Sequence, residues 1–152
     1  MSQTETRHTE TASATEVKFE GGNPIFRVQS VAASIDYYTR VRGFKLQWSA
    51  PVGFACVSRD RFHLFLCEGD QGHFGTWVWV GVTDAGALHE QYRAAGARVR
   101  HPPTNYYWAY EMQVEDLDGN VLRMGSEPIA GQPFGEWLDM DGVAWPPASE
   151  AG

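Results

Sequence analysis

Residues 24–48 read PIFRVQSVAASIDYYTRVRGFKLQW, and this stretch decides the fold of the chain. It predicts a short strand, a helix and a second strand. Ser30 is a residue type that favours the N-cap of a helix, and Gly43 tolerates the left-handed backbone that follows a last helical turn. Between these two residues, apolar side chains recur at the spacing of one helix face. One strand–helix–strand unit is therefore predicted here.

The same order of elements recurs at residues 76–100, which read TWVWVGVTDAGALHEQYRAAGARVR. Asp84 is the predicted N-cap of the second helix, and Gly96 is its predicted stop. Each unit is followed by a predicted hairpin, FACVSRDRFHLFL at residues 54–66 and EMQVEDLDGNVLRM at residues 111–124. A βαβββ pattern that occurs twice, in about 50 residues each time, indicates an internal duplication.

The duplication predicts an α+β fold built from two βαβββ modules. In each module, a curved mixed sheet is covered by its helix on one face, and the other face is left concave. A lone module would expose that concave face to solvent, so we expect a partner module to close it as a cup. The residues leave open whether the modules pair within one chain or swap between two chains.

The composition divides the chain into a body and two ends. Residues 1–20 are rich in Thr, Ser and Glu, and we expect a mobile arm there. Residues 21–126 form one predicted domain, with modules at about 23–68 and 75–126. Residues 127–152 form a C-terminal extension that contains too many Pro and Gly residues for a helix.

The C-terminal extension also carries large apolar side chains. Phe134, Trp137 and Trp145 are too apolar to be left in water. We therefore expect the extension to pack on the body or across a dimer partner, or to cover the entrance of a groove.

The net negative charge comes from the two ends of the chain. The net charge is −7, of which residues 1–20 carry −2 and residues 127–152 carry −5, so the body between them is neutral. A nucleic-acid-binding protein usually presents a basic face. We therefore expect no nucleic-acid partner.

The remaining composition predicts a cytoplasmic protein with free thiols. No apolar run is long enough to span a bilayer, so no membrane partner is expected. Cys56 and Cys67 flank the predicted turn SRDR without lying opposite each other, which is unsuitable for a disulfide and consistent with a reducing compartment.

Two motifs resemble those of a known superfamily. The pattern V-x-x-S-x-x-Y-Y-x-x-x-x-G-F follows the first strand, and D-x-D-G-N lies in the last hairpin. Together with the paired modules, they resemble the vicinal oxygen chelate superfamily over residues 23–126. That group includes glyoxalase I, extradiol dioxygenases, fosfomycin-modifying enzymes and the bleomycin resistance proteins. The resemblance implies the paired-module cup.

The enzymes of this superfamily hold a divalent metal with His, Gln or Glu from the first and last strand of each module. The resemblance places other residues at these four positions: Asn23 or a neighbour, Phe65 or Leu64, Trp77, and Arg123. A guanidinium has only donors and cannot ligate a cation. We therefore expect no metal, no other cofactor and no catalytic residue of the metal-dependent kind.

The metal-free bleomycin resistance proteins are the more similar branch. They are non-enzymatic dimers that sequester the drug in aromatic grooves between subunits. The motifs FACVSRDR, TWVWVGV and YWAYEMQVEDLDGN resemble theirs. The resemblance implies a homodimer that binds a bleomycin-type antibiotic or another aromatic compound. It places Trp48, Phe54, Trp77 and Trp108 in the groove. The alternatives are a lyase, isomerase or dioxygenase-like enzyme with an unrecognised metal site, and an interaction module.

Arg123 is the charged residue in the apolar run of the last predicted strand. Since it stands where the enzymes have Glu, the resemblance implies that it faces the cup. It then has two possible roles. It is held by a nearby acid such as Glu111, or it offers a forked donor to an anionic or carbonyl group of a ligand.

Overall fold

The computed structural model of the chain describes residues 16–147. Residues 16–20, at the end of the predicted N-terminal arm, are exposed and have no regular secondary structure. The rest of that arm, residues 1–15, and the last five residues of the extension lie outside the described residues.

The first module is a four-stranded mixed sheet with one helix. Its elements are β1 (Ile25–Arg27), α1 (Val31–Arg40), β2 (Lys45–Ala50), β3 (Phe54–Arg59) and β4 (Phe62–Cys67). The strand order is β1-β4-β3-β2, with β1 parallel to β4 and the other pairs antiparallel. Cys56 on β3 and Cys67 on β4 are both free and buried.

The second module repeats this topology. Its elements are β5 (Trp77–Gly81), α2 (Ala85–Ala95), β6 (Arg98–Asn105), β7 (Tyr110–Glu115) and β8 (Val121–Ser126). The strand order is β5-β8-β7-β6, with β5 parallel to β8. The predicted α+β fold of two βαβββ modules is confirmed. The C-terminal extension adds a small antiparallel hairpin, β9 (Trp137–Leu138) and β10 (Ala144–Trp145).

The helix ends follow the predicted capping chemistry. Ser30 Oγ accepts a hydrogen bond from Ala33 N at 3.1 Å, and Asp84 Oδ1 accepts one from Ala87 N at 2.9 Å. Each bond satisfies a backbone donor that the first helical turn leaves unpaired. Gly96 ends α2 with a left-handed φ of 79°.

The two modules share one hydrophobic core. The helix-covered faces of both sheets contribute to a single cluster, with Val57 and Leu64 from the first sheet and Met112 and Leu122 from the second. Just beyond the end of α1, the buried guanidinium of Arg42 lies 4.7 Å from the ring centre of Tyr92 on α2. The helix-free faces of both sheets are therefore turned away from the shared core.

A buried polar network also joins the modules. Tyr38 Oη on α1 donates to Asp116 Oδ2 at 3.0 Å, and Asn120 Nδ2 donates to the Arg27 carbonyl at 3.0 Å. Asp116 accepts three more hydrogen bonds, from Asp118 N, Asn120 N and Asn120 Nδ2. Burial raises the pKa of Asp116, and its hydrogen bonds act in the opposite direction. The D-x-D-G-N motif thus fixes the relative position of the modules.

No helix among residues 16–147 is long and apolar enough to cross a membrane.

Replacing Asp116 with Ala is expected to lower the free energy of unfolding by about 3 kcal/mol, because buried donors from both modules lose their acceptor. Urea denaturation followed by Trp fluorescence measures the change. Asp70→Ala, in the exposed loop between β4 and β5, is the matched control and should unfold like the wild type. Equal stability of the two variants would contradict the role of this network.

Candidate functional site

Three aromatic side chains form a patch on the helix-free face of the first sheet. Trp48 stacks on Phe54 with ring centroids 5.7 Å apart, and Phe65 lies 5.6 Å from Trp48 and 5.4 Å from Phe54. Trp48 is 44% exposed, so this first aromatic patch is open to solvent. Phe65 joins the two predicted groove residues because β3 pairs with β4 on one side and with β2 on the other, in a register that sets Phe65 and Trp48 on either side of Cys56.

The helix-free face of the second sheet carries most of the other predicted residues. Arg123 pairs with Trp79 on one side and with Gln113 on the other, which places these three side chains on one face. Trp77 lies on the same face because side chains alternate along a strand. Arg123 is therefore on the face that the resemblance implied.

Glu111 is the centre of this face. Its side chain is 1% exposed, and its two carboxylate oxygens accept three hydrogen bonds from side chains. Oε2 accepts from Trp79 Nε1 at 2.9 Å, while Oε1 accepts from Trp108 Nε1 and Arg123 Nη2, both at 2.8 Å. The predicted pairing of Arg123 with Glu111 is present. A buried carboxylate is stable only with such partners.

Two glycines let the Trp79 indole lie close to the strands. A Cβ atom at Gly125 would stand 3.2 Å from Trp79 Cζ2, and one at Gly81 would stand 3.3 Å from Trp79 Cζ3. Both distances are shorter than an ordinary van der Waals contact. The glycines therefore help to place the indole within hydrogen-bonding distance of Glu111.

The C-terminal extension lies across this same face. The ring of Trp137 sits 4.5 Å from the guanidinium carbon of Arg123, a cation–π contact. Its centroid is 5.8 Å from Tyr106, 6.0 Å from Trp108 and 6.4 Å from Trp77. The extension therefore packs on the body through Trp137, which is one of the expected arrangements, whereas Phe134 and Trp145 remain 36% and 56% exposed.

Backbone carbonyls of the extension accept hydrogen bonds from the body. Gln113 Nε2 donates to Leu138 O at 2.8 Å, and Tyr106 Oη donates to Glu136 O at 2.9 Å. Arg100 donates to the carbonyls of Leu138 and Asp139. These bonds hold the extension in place without a regular strand ladder.

A pocket of about 480 Å³ opens between the extension and the second sheet. We call it the tail pocket; its lining residues are Tyr106, Trp108, Arg123, Gly135, Trp137, Trp145 and Pro146. Tyr106 and Trp108 stack in parallel, with centroids 4.5 Å apart. Burial is the main cause that raises the pKa of Tyr106, so its phenol is neutral at pH 7. Such a volume is within the range of small-molecule sites.

A larger cleft of about 700 Å³ lies between the modules. Phe44, Phe62 and Met124 line it on the helix-covered side, and charged residues of the β3–β4 turn also line it. It contains none of the six predicted site residues.

The six predicted site residues fall into two groups. Trp48 and Phe54 belong to the first aromatic patch, whereas Trp77, Trp108, Glu111 and Arg123 lie on the second sheet or beside it. The shared core separates the two helix-free faces, so one chain does not bring the groups together. Sequence reasoning did not place three residues of the tail pocket, which are Tyr106, Trp137 and Trp145. The aromatic run NYYW and the apolar side chains of the extension were their only signal.

The residues at the metal positions of the family do not fit a divalent cation. Arg123 occupies one position as a cation, and Trp77 occupies another. The nearby carboxylate of Glu111 already accepts three hydrogen bonds. Within residues 16–147, no group of three His, Cys, Asp or Glu side chains is placed to hold a metal ion.

Comparison with known proteins agrees with the fold. The family model described as Glyoxalase/Bleomycin resistance protein/Dioxygenase superfamily matches residues 21–124. Among curated protein sequences, none matches the chain.

Several solved structures have a similar fold. One is a bleomycin-binding protein from bleomycin-producing Streptomyces verticillus, complexed with copper(II)-bleomycin. It is 25% identical, with a TM-score of 0.64, over 73% of this chain and 98% of that one. TnmS3, an antibiotic binding protein from Streptomyces sp. CB03234, is 19% identical with a TM-score of 0.64. The match covers 75% of this chain and 100% of TnmS3. TioX from Micromonospora sp. ML1 is 20% identical with a TM-score of 0.59, and the match covers 70% of this chain and 99% of TioX.

Arg123→Met is expected to lower the free energy of unfolding by about 3 kcal/mol, because it leaves the buried carboxylate of Glu111 without its counter-charge. Glu111→Gln is also expected to lower it, because it removes the counter-charge of the partly buried Arg123. The double variant should lose clearly less than the sum, since the two residues interact directly. Urea denaturation of the four proteins measures this coupling.

The exposed pair Glu90 and Arg93, whose charged atoms are 3.5 Å apart, is the matched control. Solvent screens that pair, so its cycle should show almost no coupling. Equal coupling in both cycles would contradict the central role of Glu111.

Proposed function

We propose that this chain, which belongs to the glyoxalase/bleomycin resistance protein/dioxygenase superfamily, binds and sequesters an aromatic small molecule without turnover. A bleomycin-type antibiotic or another planar aromatic compound is the proposed ligand. Stacking and desolvation supply the affinity, and no bond in the ligand is made or broken.

The observation that carries this proposal is the aromatic wall of the tail pocket. The partly exposed ring of Trp108 is backed by the buried ring of Tyr106, which stacks on it in parallel, and Trp137 stands at 68° to Trp108. The Trp108 indole donates a hydrogen bond to Glu111, which holds this ring in place in the absence of a ligand. A preformed aromatic surface binds flat rings at little entropic cost.

The similar structures support this class of ligand. The Streptomyces verticillus protein was solved with copper(II)-bleomycin, and TnmS3 is an antibiotic binding protein. Neither identifies the ligand of the present chain, because identity is 25% and 19%. The cytoplasmic location expected from the two thiols likewise stays a prediction.

A homodimer is part of the proposal. The first aromatic patch is exposed, and the helix-free face of the second sheet is turned away from the core that the modules share. A second copy could place its second sheet, together with the extension that covers it, against the first aromatic patch, which would cover Trp48 and Phe54. The groove between subunits would then contain both groups of predicted site residues.

Titration with a bleomycin-type glycopeptide should quench the Trp fluorescence saturably at micromolar concentration. Trp108→Ala is expected to weaken binding by about 10-fold or more, since one aromatic stack is worth 1–3 kcal/mol. Phe19→Ala, an aromatic residue that is 99% exposed in the N-terminal segment, is the control and should bind normally.

No quenching at micromolar drug would remove this drug class as the ligand. Metal analysis of the same protein tests the enzymatic alternative. Stoichiometric Ni, Zn, Mn or Fe, with a turnover that chelation abolishes, would contradict sequestration.

Trp48→Glu is expected to weaken the dimer, because it places a charge in the proposed contact. Sedimentation equilibrium over a range of protein concentrations measures the dissociation constant. Phe19→Glu is the matched control. A wild-type protein that stays monomeric at high concentration, or a Trp48→Glu variant that dimerises normally, would contradict the proposed arrangement.

A further inference from the structure

We infer that the tail pocket selects planar aromatic acids: the flat ring stacks between the walls of the pocket, and the anionic group binds Arg123. This inference rests on the proposed function and names the chemical class of its ligand. It concerns one charged side chain and the aromatic residues around it.

Among the residues that the structure describes, Arg123 is the only charged one that lines the tail pocket. Its side chain is 28% exposed, whereas its partner Glu111 is 1% exposed. The positive end of the ion pair therefore faces the pocket, and the negative end lies beneath it. A ligand in the pocket therefore contacts the guanidinium of Arg123 and not the carboxylate of Glu111.

Most of the guanidinium donors of Arg123 are unused. A guanidinium has five N–H donors. Among the described residues, Arg123 donates one hydrogen bond, from Nη2 to Glu111. Its Nε is shielded from solvent and has no partner. A carboxylate accepts two parallel hydrogen bonds from such a fork, so it complements these donors better than a neutral group does.

The nearby acidic groups are already occupied. Both oxygens of Glu111 accept hydrogen bonds from side chains of the site. Asp139 Oδ2 accepts from Trp145 Nε1 at 2.7 Å, and Asp139 Oδ1 accepts from two backbone N–H groups of the extension. Neither carboxylate lines the pocket, so the walls formed by residues 16–147 contain no acidic partner for a cationic ligand.

The extension is a wall of this pocket. Four of the seven lining residues belong to it: Gly135, Trp137, Trp145 and Pro146. Trp145 is 56% exposed and hydrogen-bonded only at its indole nitrogen, so its ring face is free to cover a bound ring. Within residues 16–147, no corresponding segment covers the helix-free face of the first sheet, so the two modules differ at these faces.

Two probes with the same ring and opposite charge test the inference on the full-length protein. They are 9-anthracenecarboxylate and 9-(aminomethyl)anthracene, which are an anion and a cation at pH 7. Isothermal titration calorimetry measures both dissociation constants. The carboxylate is expected to bind at least about tenfold more tightly than the amine, because only the anion accepts from the guanidinium fork.

Three variants locate the binding site. Arg123→Lys keeps the charge and the ion pair but loses the fork, so it should weaken carboxylate binding about tenfold. Trp145→Ala should weaken both probes through the lost stack. Met140→Ala is the matched control, because Met140 is 72% exposed in the same extension and does not line the pocket; it should bind like the wild type.

The outcomes separate this inference from the proposed function. Equal binding of the amine and the carboxylate would overturn the anion preference and leave sequestration intact. Carboxylate binding that survives Trp145→Ala unchanged would overturn the location. Failure of both probes, with saturable quenching by bleomycin retained, would overturn the inference alone. If neither the probes nor bleomycin bind, both proposals fail.

Discussion

The buried carboxylate of Glu111 is the constraint on which the candidate site depends. An ionised group removed from water must be hydrogen-bonded, and Glu111 finds donors on β5, on the loop before β7 and on β8. Satisfying this one side chain therefore fixes Trp79, Trp108 and Arg123 at the same time. The aromatic wall is rigid because its polar anchors have few alternative partners.

The shared core has a second consequence for the site. Since the helix-covered faces of both sheets contribute to one core, each sheet turns its helix-free face away from that core, and the two helix-free faces differ. The first keeps an open aromatic patch. The second is covered by the C-terminal extension, which turns an open sheet face into a pocket with walls on two sides. The internal duplication thus produced similar sheets with different surfaces.

Arg123 connects the pocket to the superfamily. At a position where the resemblance implies a metal-binding carboxylate in the enzymes, this chain has a cation that is held by Glu111 and stacked on Trp137. Electrostatic attraction at this point therefore favours anions instead of metal ions. Recognition through a guanidinium and aromatic rings suits capture of a ligand, for which no reactive group is needed.

The sequence by itself determined the local features of this protein. Short-range rules of backbone geometry and strand alternation account for the caps at Ser30 and Asp84, the two hairpins, and the face shared by Trp77 and Trp79. Only the tertiary structure decided which of these elements meet. Trp137 reaches Arg123 through an irregular segment without periodicity, and the helix packing separates Trp48 from Trp108. Such contacts depend on long-range packing, which no local pattern encodes.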